Sequence, residues 1–458
     1  MYKIWFNRGE NPYELREMVR MFLPASAYEI LEEDPWEHGS ASGAGDLLIR
    51  MPEEIQDKNA GKRWLYDELS RYTGKKPDWG ILTGVRPVKL TGDLIRKMGS
   101  KDAAYSCLTG EYRLDPDKAG LLLSTWDVQR EMKFDFDEKA VALYIGIPFC
   151  PSKCIYCSFP SYQIPTEDME PYLKALRLEI AYVSRKMKEK GLRIESLYIG
   201  GGTPTSLTEE ALEELLSFVE SSFDLSTVRE YTVEAGRPDT ITSGKLESIK
   251  AHGAQRISIN PQSMKQETLE KIGRKHGPQQ IRDAFQMAEK YGFSAINMDL
   301  IAGLPDEEPA DFEMSLREVL AMRPENITIH TLALKRASRL KMVEEDYNYH
   351  QGQKVGEMLE TAAALLKAAG YRPYYLYRQK QMTGNFENVG YALPGCESIY
   401  NVRIMEEDQT IIALGAGGIS KRFWPEENRL ERIANVSNYE IYIQRVDEMI
   451  QRKEKGLF

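Results

Sequence analysis

Three of the five cysteines of this 458-residue chain lie close together, as Cys150, Cys154 and Cys157. They follow residues 142–147, an apolar run that predicts a strand, so the cysteines would lie on a loop just past its end. An odd number of clustered cysteines does not suit a disulfide framework and favours a metal site in a reducing compartment. Three thiolates on one short loop can hold three corners of an iron–sulfur cube and leave the fourth iron open.

A mononuclear zinc site is the main alternative for the cysteine motif. Zinc would take a fourth Cys or His ligand, but the nearest downstream histidine is His252 and Cys396 is remote. Cys107 lies in a helical pattern and is interpreted as a packed or surface thiol. The spacing and the position after a strand therefore favour the iron–sulfur cluster.

The elements that position this loop form a regular pattern from residue 141 onwards. Short β-branched runs at 142–147, 196–199, 230–234, 256–260, 295–300 and 326–331 alternate with helical stretches at 167–190, 209–221, 280–291 and 310–322. This alternation predicts a parallel sheet with crossover helices. Six such units are too few for a closed eight-stranded barrel but fit an open one, with its site at the carboxyl ends of the strands.

Polar or glycine residues stand at the ends of the later predicted strands. The glycine run 200–202 and Thr203 follow the second strand, Glu234 ends the third, Gln262 follows the fourth and Asp299 ends the fifth. Any one of them alone could cap a turn. Four in register predict one shared crevice, because the carboxyl ends of parallel strands meet at one edge.

The whole chain is predicted to be an α/β protein in three parts. Residues 1–138 form a mixed α/β extension of unknown role, residues 139–370 a partial (βα)6 barrel, and residues 371–458 a small mixed domain that covers the barrel opening. In the last part the sequence predicts strands at 371–379, 400–405 and 410–414 and a helix over 438–452.

The cysteine motif resembles that of the radical S-adenosylmethionine (SAM) enzymes. The stretches Tyr144-Ile-Gly-Ile-Pro-Phe-Cys150, Gly200-Gly-Gly-Thr-Pro-Thr205 and Asp299-Leu-Ile-Ala-Gly-Leu-Pro305 resemble the oxygen-independent coproporphyrinogen III oxidase family. Residues 79–89, 374–380 and 384–391 are most similar to its HemZ-type branch. The resemblance implies one [4Fe–4S] cluster, whose open iron binds SAM and whose electron releases a 5′-deoxyadenosyl radical.

The resemblance also implies that two SAM molecules bind, and it indicates their contacts. The residues that match the contacts of the first molecule are Tyr144, Gly201, Glu234, Gln262 and Arg274. Those that match the contacts of the second are Tyr156, Gly202, Thr203 and Asp299, with Ala333 and Ile419 as the remaining contacts. His330 follows the sixth strand and could face the crevice, although a satisfied interior imidazole is the simpler interpretation.

The implied reaction is the oxidative decarboxylation of two propionates of coproporphyrinogen III to vinyl groups, giving protoporphyrinogen IX in anaerobic haem biosynthesis. An electron donor such as flavodoxin or ferredoxin would supply the reducing electron. A substrate with four negatively charged propionates is expected to bind cationic side chains. The planar guanidinium of arginine can donate two parallel hydrogen bonds to a carboxylate. We expect Arg336 or Arg378 to bind a propionate. The alternative is that these residues only form a solvated basic surface.

Two departures from the family pattern leave other functions open. The well-studied oxidases carry a fourth cysteine where this chain has Phe159, and Cys396 is a candidate replacement as a catalytic thiol. The related haem chaperones also lack that cysteine but carry a His-Asn-x-x-Tyr-Trp segment, where this chain reads Tyr400-Asn-Val-Arg-Ile-Met405. The alternatives are a non-catalytic haem-binding protein and a radical SAM enzyme that modifies another tetrapyrrole.

Composition excludes several further classes of function. The net charge of −10 makes binding to nucleic acid or to an anionic membrane a poor fit. No apolar run approaches the roughly 18 residues that span a bilayer, and the first residues lack the apolar region of a signal peptide. We expect a cytoplasmic protein.

Overall fold

The computed structural model describes residues 1–5, 12–31, 47–52, 55, 57–84, 86–134, 137–333, 351–379 and 383–458. The N-terminal part contains a small parallel sheet and five helices. The strands are β1 (Tyr2–Trp5), β2 (Tyr28–Leu31) and β3 (Leu47–Arg50), and the helices are α1 (Pro12–Phe22), α2 (Lys58–Thr73), α3 (Pro87–Met98), α4 (Lys101–Gly110) and α5 (Pro116–Glu131). Ile4, Val19 and Leu65 are fully buried in a core of this sheet's own, whereas Leu108 and Leu122 are buried in the main core.

Six consecutive parallel strands form the centre of a larger, eleven-stranded sheet. They are β4 (Ala140–Ile147), β5 (Arg193–Gly201), β6 (Glu230–Glu234), β7 (Arg256–Ser258), β8 (Ala295–Ala302) and β9 (Asn326–Thr331). Six crossover helices join them: α6 (Glu170–Lys190), α7 (Glu209–Ser222), α8 (Ser243–Ala251), α9 (Gln266–Lys271), α10 (Pro278–Lys290) and α11 (Pro309–Met322). The predicted alternation of strands and helices is confirmed. β4 is buried along nearly its whole length, as expected of a parallel strand covered on both faces.

The C-terminal strands extend both edges of this sheet. The elements are α12 (Gly352–Ala368), β10 (Arg372–Tyr377), β11 (Asn388–Ala392), α13 (Ile399–Glu406), β12 (Ile411–Leu414), β13 (Ile419–Trp424), β14 (Arg429–Ala434), α14 (Tyr439–Gln444) and α15 (Val446–Gly456). At one edge β11 pairs antiparallel with β9, and at the other β12 pairs parallel with β4. Within the described chain the sheet ends at β10 and β14, which gives an open arrangement. The boundaries of the three predicted parts stay predictions. The sheet continues across residue 371, because strands from before and after this residue belong to the same sheet.

The strand expected at 400–405 is wrong, because these residues form helix α13. Apolar side chains at Tyr400, Val402 and Ile404 alternate with polar ones and imitate the two-residue period of a strand. The Ser398 side chain accepts a hydrogen bond from the Asn401 amide and caps a helix instead. None of the helices in the described ranges is both long and apolar enough to cross a membrane.

Candidate functional site

The cysteine loop starts directly after β4, at the carboxyl edge of the parallel strands. Cys150, Cys154 and Cys157 are all free thiols, and Cys154 is buried. The Cys150 amide donates to the Tyr162 carbonyl at 3.0 Å, and the Cys157 amide donates to the Cys154 carbonyl at 3.2 Å. Burial raises the pKa of the Cys150 and Cys157 thiols, so thiolates here need positive neighbours.

A buried cation, Arg274, lies against this loop. Its guanidinium donates to the carbonyls of Gly236 and Asn260 and, at 3.4 Å, to the Tyr156 hydroxyl. Burial lowers the pKa of Arg274, but Tyr156 and Cys154 outweigh burial and hold it above its usual range. Among the described ion pairs, no carboxylate partners Arg274, and its Nε is buried without a hydrogen-bond partner. A thiolate at Cys154 would compensate this charge, so the donor set fits a thiolate-held cluster.

The glycine run joins the end of β5 to the start of the cysteine loop. A Cβ atom at Gly202 would lie 2.5 Å from the Phe149 carbonyl oxygen, and Gly201 has a φ of +115°. The amides of Gly202 and Thr203 donate to the Ile147 and Phe149 carbonyls at 2.8 and 2.7 Å. Thr203 Oγ1 thereby lies 3.5 Å from Cys150 Sγ. Glycine is required here because backbone meets backbone.

Glu234, the last residue of β6, lies next to the glycine run. It accepts a hydrogen bond from the Tyr198 hydroxyl at 2.6 Å and one from the Gly201 amide at 3.2 Å. Burial raises the pKa of Glu234 to about 7 in spite of these bonds. The rings of Tyr198, Tyr144 and Tyr400 form a cluster of three, in which the Tyr198 centroid lies 6.2 Å from that of Tyr144 and 4.5 Å from that of Tyr400. Tyr198 was not among the predicted site residues, although its even spacing from Gly200 on β5 places both on one face.

A second carboxylate, Asp299 on β8, lies in a different environment. Asn297 Nδ2 donates to Asp299 Oδ1 at 2.7 Å, and His330 Nε2 lies 3.5 Å from Asp299 Oδ2. The other ring nitrogen of His330 lies 3.5 Å from the Tyr377 hydroxyl. Burial alone would raise the pKa of Asp299, but the hydrogen bonds, led by that of His330, bring it below its ordinary value. His330 therefore faces this carboxylate.

Gln262 carries an unsatisfied acceptor into the interior. It has a φ of +69°, and its backbone bridges to β8 through the Asp299 carbonyl and the Ile301 amide. Its Oε1 atom is buried without a partner. A bound molecule with a hydroxyl or amino group would satisfy it. Of the two remaining predicted contacts, Ala333 lies two residues past β9, and Ile419 begins β13 with 47% exposure.

Of the two arginines expected to bind substrate, the structure describes one, Arg378. Arg336 lies outside the described residues. Arg378 is buried, donates to the carbonyls of Leu82 and Asn385 and lies 4.6 Å from the Trp79 ring centroid. Burial lowers the pKa of Arg378 to about 10. These contacts give Arg378 a role in anchoring the N-terminal part, and its role as a propionate ligand stays a prediction.

Cys396 lies at the opposite edge of the sheet from the cysteine loop. Its carbonyl accepts hydrogen bonds from Arg256 and Asn326, both at 2.9 Å, and these are the first residues of β7 and β9. On this placement we do not propose Cys396 as the replacement for a fourth cysteine. Phe159 occupies that position and is 65% exposed.

Within the described ranges, no three His, Cys, Asp or Glu side chains converge as they would around a single ion. A cubane makes a different demand, because each of its thiolates binds a separate iron atom.

A three-cysteine loop at the carboxyl edge of an open α/β barrel is the arrangement of a cluster-dependent enzyme class. The model of the Radical SAM superfamily matches residues 144–319. The oxygen-independent coproporphyrinogen-III oxidase-like protein HemZ of Bacillus subtilis is 42% identical over 396 residues, which cover 85% of this chain and 79% of that protein. The chain therefore belongs to the radical SAM superfamily and, within it, to the HemZ-type family. Membership implies a [4Fe–4S] cluster and SAM as cofactors.

Two further proteins are similar to this chain. The haem chaperone HemW of Escherichia coli is 30% identical over 295 residues, which cover 62% of this chain and 71% of that protein. The crystal structure of coproporphyrinogen III oxidase, HemN, from Escherichia coli superposes with a TM-score of 0.55 at 23% identity, over 71% of this chain and 73% of that one. The structural likeness confirms the predicted fold.

Proposed function

We propose that this chain is a radical SAM oxidoreductase that converts propionates of coproporphyrinogen III to vinyl groups and forms protoporphyrinogen IX. The observation that carries the proposal is the connection of the cysteine loop through the glycine run to Glu234, whose carboxyl group lies close enough to Asp299 for that carboxylate to raise its pKa. The 42% identity to a coproporphyrinogen-III oxidase-like protein supports it. The proposed setting is anaerobic haem biosynthesis in the cytoplasm.

In this proposal the cluster is held by Cys150, Cys154 and Cys157. Tyr144, Gly201, Glu234, Gln262 and Arg274 hold a first SAM molecule, and Tyr156, Gly202, Thr203, Asp299, Ala333 and Ile419 hold a second. When bound, the cluster and SAM together supply a 5′-deoxyadenosyl radical that removes a hydrogen atom from the propionate. The vinyl group would then form as the carboxylate leaves as CO2 and one electron passes to a one-electron acceptor. The chain's own task is to hold the reacting propionate carbon within reach and to exclude water.

The two interior carboxyl groups are suited to different tasks. Glu234, with a pKa of about 7, can hold a proton on its carboxyl oxygen at neutral pH or release it when a cation approaches. Asp299 stays ionised because its pKa lies below the ordinary value, so it only accepts hydrogen bonds. Neighbouring carboxyl groups with separated pKa values are a common feature of active sites. This difference supports two distinct ligand positions.

Substrate and reductant complete the proposal. The propionates would meet Arg336 or Arg378, since a protein with a net charge of −10 needs local cations to bind a polyanion. A flavodoxin or ferredoxin would deliver the electron to the cluster.

Haem binding without turnover is the second candidate. The 30% identity to a haem chaperone and the presence of Phe159 favour it. Against it, the stretch that matches the chaperone segment folds as α13, where Tyr400 is buried and stacked on Tyr198. The first candidate therefore has the stronger support.

Anaerobic incubation of the reconstituted protein with SAM, dithionite and coproporphyrinogen III separates the candidates, with Cys154→Ser as the inactive control. Vinyl product together with 5′-deoxyadenosine supports the oxidoreductase. Haem binding without turnover supports the chaperone and contradicts our proposal. Release of 5′-deoxyadenosine with modification of haem would instead indicate an enzyme that acts on another tetrapyrrole.

A further inference from the structure

The cysteine loop forms no helix or strand, so its shape depends on hydrogen bonds within the loop and to neighbouring elements. Ser152 is the middle residue of the spacer between Cys150 and Cys154. Arg237 Nη1 donates to the Ser152 carbonyl at 3.1 Å, and Arg237 Nη2 donates to the Ser152 hydroxyl at 3.0 Å. The Ser152 hydroxyl in turn donates to the Gly273 carbonyl at 2.9 Å. The Arg237 guanidinium thus binds both the main chain and the side chain of Ser152.

Asp239 and His276 fix the position of Arg237. Its Nε and Nη2 each lie 3.1 Å from a carboxylate oxygen of Asp239. Asp239 Oδ1 is also 3.0 Å from His276 Nδ1. Arg237 is 3% exposed and His276 is fully buried. The chain Ser152–Arg237–Asp239–His276 therefore has a fixed partner at every step and little room for another rotamer.

The second spacer, residues 155 and 156, is held separately. The Ile155 amide donates to the Ile272 carbonyl at 3.1 Å, and Tyr156 meets Arg274. Arg237 follows β6, whereas Arg274 comes after α9, so the two guanidinium groups fix the loop to two different elements. Arg274 is among the predicted SAM contacts. Arg237 is not among the predicted SAM contacts. Within the described residues its side chain donates hydrogen bonds to Ser152 of the loop and to Asp239.

We propose that Arg237 is a positioning residue that holds the cysteine loop in its cluster-binding shape before the cluster arrives. Asp239 and His276 orient Arg237. A buried ion pair contributes little net stability compared with an apolar replacement. The Arg237–Asp239 pair therefore serves to fix the geometry of the cysteine loop. A guanidinium suits the task because its planar fork makes two bonds at once and stays charged at all relevant pH values. The inference rests on the proposed cluster site but not on the identity of the tetrapyrrole.

The test compares two arginine-to-lysine variants of the full chain without cluster. Arg237→Lys keeps the positive charge but loses the planar guanidinium, which donates two hydrogen bonds at once. Arg403→Lys is the matched control, because Arg403 is also buried and makes a two-pronged pair with Glu195, at 2.9 and 3.2 Å, near the start of β5. Hydrogen–deuterium exchange of the amides of residues 150–157 is measured. We expect exchange about tenfold faster in Arg237→Lys, as for the loss of one charged hydrogen bond, and unchanged exchange in Arg403→Lys.

Cluster retention gives a second readout. After anaerobic reconstitution, we expect Arg237→Lys to lose iron to a chelator faster than wild type and Arg403→Lys to retain it as wild type does. Equal exchange of residues 150–157 in Arg237→Lys and wild type, or equal acceleration in both variants, overturns the inference. If exchange is faster in Arg237→Lys than in wild type but wild-type protein takes up no iron, the cluster assignment fails, while the role of Arg237 in fixing the loop is retained. If iron is held without vinyl product, only the proposed reaction fails.

Discussion

Glu234 illustrates how single neighbours set the chemistry of the interior. Burial raises its pKa to about 7, and the hydrogen bond from Tyr198 opposes that rise. In Asp299 the balance is reversed, since the hydrogen bonds of His330, Asn297 and Thr328 outweigh burial. Sequence alone placed both carboxyl groups at strand ends, which is correct for Glu234 and wrong for Asp299, because β8 continues to Ala302. It did not show their protonation, because that depends on partners from other strands.

The pH dependence of stability tests the Tyr198–Glu234 contact. Because the native Glu234 carboxyl binds its proton more tightly than the unfolded one, it makes the free energy of unfolding fall as pH rises from 5 to 7. In Tyr198→Phe we expect this fall to extend above pH 7 and to deepen by about 1 kcal/mol. Denaturant titrations at several pH values measure it. Tyr231→Phe is the control, because the Tyr231 hydroxyl is buried without a partner, and identical profiles for Tyr198→Phe and wild type would contradict the expectation.

His330 offers a second test at the residue scale. His330→Phe removes the partner that does most to lower the pKa of Asp299, so the carboxylate loses both its orientation and part of its charge stabilisation. If Asp299 holds a second SAM molecule, we expect affinity for that molecule to fall about tenfold, with cluster content unchanged. Equilibrium dialysis of the reconstituted protein measures it. His252→Phe, whose histidine pairs with Glu213 and Glu220 of α7, should bind SAM as wild type does.

At the scale of elements, hydrophobic period and turn residues located the six parallel strands and most of their helices. They failed where a local signal competed with the period. Tyr400, Val402 and Ile404 imitated a strand until the Ser398 cap was visible. Cys396 stayed a candidate for the site because the sequence does not show that β11 runs antiparallel to β9 and returns the chain to the far edge. Arg237 was overlooked, since Ser152, the loop residue that it binds, is remote in sequence.

The junction of β5 with the cysteine loop predicts a severe glycine effect. In Gly202→Ala the new methyl group would overlap the Phe149 carbonyl and push the loop away from β5. We expect a loss of about 1–3 kcal/mol in the free energy of unfolding, together with reduced iron content. Gly120→Ala, in α5, is the control, because its methyl group meets no atom within 4 Å. Normal iron content in Gly202→Ala would argue against a tight junction.

At the scale of the whole molecule, a buried polar contact joins the N-terminal part to the barrel. Trp79 Nε1 and Lys118 Nζ donate to the two carboxylate oxygens of Glu387 at 2.7 and 2.6 Å. The Glu387 carbonyl accepts from Thr331, the last residue of β9. The extension is therefore fixed beside the carboxyl edge of the strands. Its role was not deducible from sequence, because Trp79 and Glu387 are far apart in the chain.

Removing the indole N–H tests this junction. Trp79→Phe leaves Glu387 buried with one fewer donor, and we expect the free energy of unfolding to fall by about 2 kcal/mol. Chemical denaturation followed by circular dichroism measures the change. Trp64→Phe, which alters only packing against the N-terminal core, serves as the comparison. An equal or smaller effect at Trp79 would show that the contact with Glu387 contributes little.

Mössbauer spectroscopy of the anaerobically reconstituted protein, with and without SAM, tests the central claim most directly. We expect a [4Fe–4S] signal in which one iron site changes when SAM is added, and the loss of that signal in Cys154→Ser. No cubane signal, or a cubane whose four irons are all indifferent to SAM, would contradict it.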